Sequence, residues 1–329
     1  MVEAAVGLAA PDKFRGSLDA RGVARAIAAG FALAGRAAIE LPLADGGEGT
    51  LDALGGANRS TRVRGPLGSP VDASWRLADG IAVIETAQAS GLSLAGGPAG
   101  NDPVGASTSG TGELIAAALA AGANRVVVAV GGSASTDGGL GALDALGRRP
   151  FRVPVEVACD VRTPFLDAAS VFGPQKGASV ADVTELERRL AELAASYRDT
   201  FGIDVTTLPG AGAAGGLAGG LAALGATLVP GFDLVASRVG LGSALRGAAI
   251  VVTGEGKLDA TSFDGKVVGG ILAASAEAGI PALVVAGEIE SVDCPVPAIS
   301  LVELFGPRRA FAETAACISE AVAAHLGAV

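Results

Sequence analysis

The sequence predicts a two-domain α/β protein in which a parallel domain is assembled from both chain ends and a mixed α/β domain is inserted between them. Three observations carry this. Residues 1–59 alternate apolar strand runs with amphipathic helical stretches, and residues 227–329 resume the same alternation. Residues 60–226 open instead on short strands separated by Gly and Pro turns. With 329 residues, half of them hydrophobic, the chain is longer than most single domains and can bury a large core.

The elements follow in order. Ala4 to Ala9 reads as a strand, Ser17 to Ala34 as a helix with Ser17 as N-cap, Ala38 to Leu43 as a strand and Gly49 to Leu54 as a helix. Val23, Ala26, Ile27, Phe31 and Ala34 recur at three- and four-residue spacing and predict one apolar face laid on a sheet. Two strands cannot make a stable sheet alone, so the first βαβα needs the later strands at Ala249 to Thr253, Ala282 to Ala286 and Ala298 to Val302. Together they predict a parallel domain of the Rossmann-like or flavodoxin-like kind, closed by a final helix with Phe311, Ala315, Ile318, Val322 and Leu326 on one face. The inserted domain reads as a meander (Ser60 to Arg64, Val71 to Leu77, Ile81 to Thr86) followed by a helix at Ser107 to Ala121 and strands at Arg125 to Val130 and Val153 to Ala158. An amphipathic helix through Val183, Leu186, Leu190, Leu193 and Tyr197 and a buried Gly/Ala helix after Pro209 complete it.

Composition excludes several function classes. A net charge of −10 argues against nucleic-acid and anionic-membrane partners, so an anionic ligand must be held by local cations and backbone amides. Cys159, Cys294 and Cys317 form neither an even set nor a C-x-x-C pair, which argues against disulfides and thiolate metal sites and fits a reducing cytoplasm. The first ten residues lack a basic flank and read as a buried strand rather than a signal. The uncharged stretch Val205 to Phe232 is too rich in Ala and Gly, and too tightly bracketed by Pro209 and Pro230, to span a membrane. Nothing in the sequence sets an oligomeric state.

His325 is the only histidine, near the end of a helix, which makes Ser-His-Asp hydrolysis, histidine-ligated zinc and Cys-His catalysis improbable. Carboxylates and oxygens must then do the chemistry, an inventory suited to Mg²⁺ and phosphoryl transfer. Four glycine-rich loops follow strands. Ala44 to Thr50 and Gly131 to Gly139 place Asp45, Glu48 and Asp137 among unhindered amides; Gly254 to Asp259 mixes Glu255 and Asp259 with Lys257, with Lys266 close behind. None is a Walker A loop, since no G-x-x-x-x-G-K-[ST] occurs. The fourth, Gly210 to Gly215, spells G-x-G-x-x-G after a possible strand at Ile203 to Leu208, with Asp233 downstream, and makes an NAD(P)-dependent dehydrogenase of a small hydroxy acid the rival reading.

These loops bring out a resemblance. Ala10-Pro11-Asp12 through Ser17-Leu18, Ala44 to Thr50, Gly65-Pro66-Leu67-Gly68 with Trp75, Ala89 to Leu92, Gly110 to Leu114 and Gly131 to Ala134 with Asp137-Gly138-Gly139 are, in this order, similar to bacterial glycerate kinases of the type with two α/β domains and no Walker motif. Ala158 to Val161, Phe172 to Ala178, Pro209 to Gly216 and Thr253 to Gly256 with Leu258-Asp259 continue the match over nearly the whole length. Lys13, Arg15, Ser109, Thr136 and Val268 depart from the usual residues, and the Gly147 to Val155 connection is short; these departures bear on the shape of the acceptor pocket.

The resemblance implies a kinase that uses ATP and Mg²⁺ to phosphorylate glycerate in a cleft between the domains, with 2-phosphoglycerate favoured over 3-phosphoglycerate as product. A non-catalytic small-acid binding protein is the further alternative. On this basis Asp45 and Asp137 lead as general base and Mg²⁺ ligand, in either order, with Asp160, Glu255 and Asp259 behind them. Arg15, Lys176, Lys257 and Lys266 are assigned to the glycerate carboxylate and the ATP phosphates, and Ser133 with the Gly131 and Gly132 amides to anion binding. Gly46, Gly47, Glu48 and Gly254 complete the substrate- and nucleotide-binding loops.

Overall fold

The computed structural model describes residues 6–327. Its strands are β1 (Gly7–Ala9), β2 (Ala38–Glu40), β3 (Arg59–Arg64), β4 (Pro70–Ala78), β5 (Ile81–Glu85), β6 (Arg125–Ala129), β7 (Val155–Cys159), β8 (Thr227–Pro230), β9 (Ile250–Leu258), β10 (Ala282–Ile289) and β11 (Ala298–Ser300). The chain divides into two compact units, one comprising residues up to Asp45, Asp52–Leu54 and Phe232 onward, the other Gly46–Leu51 and Gly55–Gly231.

The first unit is a parallel α/β layer with strand order β11-β10-β9-β1-β2. Gly7–Ala9 of β1, the stretch 251–254 of β9 and the stretch 282–286 of β10 are buried, as cover between helix layers requires, whereas the edge strand β2 is largely exposed. The helix Ala20–Leu33 lays Val23, Ile27 and Phe31 into a core shared with Ile318 and Val322 of the helix Thr314–Gly327. Gly30 permits this contact, since a Cβ there would lie 2.7 Å from Val322. The N-cap of that first helix is Asp19, which accepts from Gly22 N at 2.7 Å, rather than Ser17. The predicted strand at Ala4 to Ala9 is seen at Gly7–Ala9, and Ala4 and Ala5 lie outside the described residues.

After β11 come three helices, Leu301–Phe305, Pro307–Ala312 and Thr314–Gly327, and the predicted final helix through Phe311 and Leu326 is the last two of them. Gly306 at φ +77° and Pro307 break the first from the second, because a left-handed residue followed by a proline cannot continue α geometry. Glu313, at φ −123° and ψ +37°, breaks the second from the third, which takes Phe311 off the apolar face of Ile318 and Val322, where its spacing had put it, and leaves it 66% exposed.

The second unit carries six strands in the order β3-β4-β5-β6-β7-β8, antiparallel from β3 to β5 and parallel from β5 to β8. The central strand β6, Arg-Val-Val-Val-Ala, is buried along nearly its whole length, consistent with cover on both faces. The helix Val180–Phe201 starts with a capping box between Ser179 and Asp182 and buries Leu186, Leu190 and Tyr197. Strand β8 was not legible because Thr-Leu-Val-Pro is too short to show a period.

The G-x-G-x-x-G segment does not form a dinucleotide-binding turn. The residues before it form a 3₁₀ turn, Val205–Thr207, instead of a strand, and Gly210 to Gly216 are buried. Gly212 N donates to Thr163 O at 3.0 Å, and a Cβ on Gly212 would overlap the Pro164 carbonyl. These glycines serve close backbone packing. Gly212→Ala should therefore lower stability by about 2 kcal/mol or more, because backbone has to move to admit the methyl. Chemical denaturation of the purified variant checks this; an unchanged midpoint would show that the backbone gives way freely.

Candidate active site

The strand order of the first unit reverses between β1 and β9: the chain leaves β1 towards β2 on one side, and β9, β10 and β11 extend on the other. Ligands of open α/β sheets bind outside the carboxyl ends of the strands at such a switch point. Here the chain running off β1 is clamped on both sides. Ala10 N donates to Val252 O and Asp12 N to Gly254 O, both at 2.9 Å, Leu43 N donates to Pro11 O at 3.0 Å, and the Thr253 hydroxyl donates to Ala10 O at 2.8 Å. These bonds set Asp12 at the mouth of the crevice.

A cavity of about 570 Å³ opens there, within the size range of small-ligand sites. Its lining brings together Arg15, Asp45, Glu255, Lys257, Asp259 and Lys266 from the sequence reading, and adds Asp12 and Lys13. Asp12 was missed as a functional residue; it belonged to a matching segment, but its role depends on neighbours far away in sequence. Burial, with Asp45 and Glu255 adding repulsion, pushes its carboxyl up to about 7 against the opposing pull of Lys13. Glu255 is also raised, chiefly by burial, and its Oε1 is buried without a hydrogen-bond partner. Gly256 carries no side chain where a Cβ would stand 3.2 Å from Arg15 N, which lets the loop Lys13 to Ser17 fold over β9.

The remaining groups of this set are partly engaged. Asp259 accepts from Thr261 N (2.8 Å) and Thr261 Oγ1 (2.6 Å), bonds that hold its carboxyl below the usual range. Lys257 pairs with Glu290 at 2.7 Å on the surface, and Lys266 Nζ donates to Thr261 Oγ1 at 3.0 Å. Lys266 is also the N-cap of the helix Val267–Ala278, which has no side-chain cap.

In the second unit the loops after β5, β6 and β7 gather at the same sheet edge because those strands are parallel. Glu85, at the end of β5, accepts from Gly49 N and Leu51 N at 2.8 Å each and anchors the loop that carries Gly46, Gly47 and Glu48. This buried carboxylate was also missed, although an acid closing an apolar strand was a signal for it. A Cβ on Gly131 would lie 2.7 Å from the Gly47 Cα, and one on Gly132 would overlap the Glu48 carboxylate, so the two glycine loops touch. Asp160 follows β7 on the exposed edge.

Asp137 and Lys176 are placed otherwise than their assigned roles require. The Asp137 carboxylate accepts from Thr108 N and Thr108 Oγ1 (both 2.8 Å) and Gly141 N (3.2 Å) on Oδ2 and from Gly139 N (3.1 Å) on Oδ1, which makes it a brace for the loop. Lys176 is 3% exposed and donates to Ser133 Oγ at 3.0 Å and Ser135 O at 2.6 Å. Burial pushes its ammonium down to about 7, against the opposing pull of Asp137. Since an ammonium only donates, the Ser133 oxygen must accept from it, and the Ser133 proton points elsewhere as a donor.

Two expected outcomes follow. Asp137→Asn puts an amide where four donors converge and should lower stability by about 2–3 kcal/mol, seen as a shifted denaturation midpoint. Asp12 ionises near 3.8 when unfolded and near 7 when folded, so the folded state binds the extra proton and stability falls as pH rises through that window. Lys176, at 10.5 unfolded and about 7 folded, acts in the opposite sense, so stability recovers as pH rises above 7. Denaturation midpoints from pH 4 to 10 should show the falling limb flattened in Asp12→Asn and the rising limb flattened in Lys176→Met.

Comparison with known proteins bears on this geometry. A sequence-family profile described as the Glycerate kinase family matches residues 7–153 and 148–324. A glycerate kinase of Halalkalibacterium halodurans is 38% identical over 326 residues, covering 85% of this chain and 84% of the relative. A glycerate 2-kinase of Escherichia coli is 38% identical over 323 residues, again covering 85% and 84%. A solved structure assigned as glycerate kinase 2 from Salmonella typhimurium LT2 superposes with a TM-score of 0.85 at 32% identity, covering 99% of this chain and 98% of that one. With its family profile, its relatives and its two-unit α/β fold in agreement, the chain belongs to the glycerate kinase family.

Proposed function

We propose that this protein transfers the γ-phosphoryl group of ATP to the 2-hydroxyl of D-glycerate. The observation that carries the reading is the switch-point cavity, in which Asp12, Asp45 and Glu255 meet cations from the surrounding loops, Arg15, Lys257 and Lys266. Such pairing of signs suits a triphosphate with its metal ion. The Escherichia coli relative, a glycerate 2-kinase, supports the choice of the 2-hydroxyl.

The residues present fit Mg²⁺. Glu255 has a buried oxygen without a partner, and the charge of Asp45 helps raise both Asp12 and Glu255, a repulsion that a cation would relieve. Among the described residues no three acidic, histidine or cysteine side chains form a ready metal cage. That suits an ion that keeps waters and phosphate oxygens in its shell. Asp45 and Glu255 would hold it, and when bound it neutralises charge on the phosphate oxygens.

The chain's own groups divide the remaining work. Lys266 and the uncapped first amides of the helix Val267–Ala278 bind phosphate oxygens. Lys257 can leave its exposed partner Glu290 at little cost to join them. Asp12, held near neutrality, is suited to take the proton of the acceptor hydroxyl. In the second unit the Ser133 hydroxyl and the Gly131 and Gly132 amides offer a separate surface for an anionic oxygen.

Incubation with MgATP and D-glycerate should yield ADP only when glycerate is present, and NMR of the product should show phosphate on the 2-oxygen. Asp12→Asn and Asp45→Asn should each lower kcat by ~10²-fold or more while the protein melts no earlier than wild type. Glycerate-dependent NAD(P)H formation without ADP release would sink the kinase reading.

A further inference from the structure

The switch-point cavity has one wall that the charged chemistry does not use. Val302, Pro307, Ala310 and Phe311 form it, from the two short helices Leu301–Phe305 and Pro307–Ala312 that follow β11. Phe311 is 66% exposed and is the only aromatic among the exposed large hydrophobic side chains of the described residues. Leaving a phenyl ring in water forgoes a large burial gain, and a ring left open at the rim of a ligand-sized cavity needs an account.

Its presentation is built in. The Thr314 hydroxyl bonds the carbonyls of Ala310 (2.8 Å) and Phe311 (3.0 Å), which fixes the backbone carrying the ring. Ala310 is buried beneath it. Beside the ring stands Gly16 at φ +82°, whose missing Cβ would touch Phe311 at 3.9 Å, so no side chain from that position covers it. The carboxyls and lysines belong to the same lining, so the cavity offers an apolar, aromatic surface together with charged groups.

We infer that Phe311 is the platform on which the purine ring of the nucleotide stacks, with the phosphates reaching the Lys257 and Lys266 side of the same cavity. This rests on the ATP-dependent reading above and deepens it. A planar base gains from an aromatic face whatever its hydrogen-bonding edge, and stacking of this kind changes affinity by about 5- to 150-fold.

The full-length chain tests it through binding as well as turnover. Phe311→Ala should weaken MgADP binding about 10-fold or more by calorimetry and raise the KM for ATP similarly, with the KM for glycerate unchanged. Because the side chain is exposed, melting should not change. Phe311→Trp should bind MgADP near wild-type strength and show saturable fluorescence quenching that inorganic triphosphate does not reproduce. The native Trp75, 3% exposed in the other unit, supplies a constant background. Wild-type affinity for MgADP in Phe311→Ala, or quenching by triphosphate alone, would overturn the stacking role while leaving the kinase reading intact. Failure of the wild type to bind MgADP would overturn both.

Discussion

The pairing of β1 with β9 is the constraint on which the first unit depends. Leu8 faces Val251 and Ala9 faces Val252 across a parallel ladder, joining segments more than two hundred residues apart in sequence. Without it β1 and β2 would be an isolated pair with no sheet to complete. The ladder brings the chain ends into one unit and creates the reversal of strand order where the cavity forms. Closing so long a loop costs entropy that only contacts made after closure can offset, so this unit forms cooperatively with its C-terminal strands or not at all.

The same pairing sets the electrostatics. Asp12 leaves β1, Asp45 follows the segment beyond β2, and Glu255 lies on β9, so the sheet delivers three carboxyls to one edge. Each is ordinary as a residue; burial, with the nearness of Asp45 and Glu255 adding to it, is what raises the Asp12 carboxyl. Glu255 keeps an oxygen without a partner.

The second unit handles burial differently. Asp137 is satisfied by four donors and Glu85 by two backbone amides of the loop it anchors, so these acids stabilise loops instead of waiting for a ligand. Lys176 is the converse case, a buried cation whose near partners are a hydroxyl and a carbonyl. It spends its charge on orienting Ser133. Glycines make this geometry possible where backbone meets backbone, as at Gly131 against Gly47.

Much of this was legible in the residues themselves. The apolar period of Val23, Ile27 and Phe31, the continuous run of β6, and the glycine loops after strands are local signals. They were enough for the α/β class and the family resemblance. Local signals could not distinguish a carboxylate that waits for a ligand from one that caps a loop, because Asp45 and Asp137 sit in loops of like composition. Only the folded chain decided that Thr108, twenty-nine residues upstream, donates twice to Asp137, and that Asp12 gains two acidic neighbours. The same holds for Phe311, whose helical spacing pointed inward, whereas the interruption at Glu313 separates it from the final helix and leaves the ring lining the cavity. Periodicity and loop chemistry are written along the chain, whereas burial, charge proximity and the direction a broken helix takes arise from contacts between distant segments.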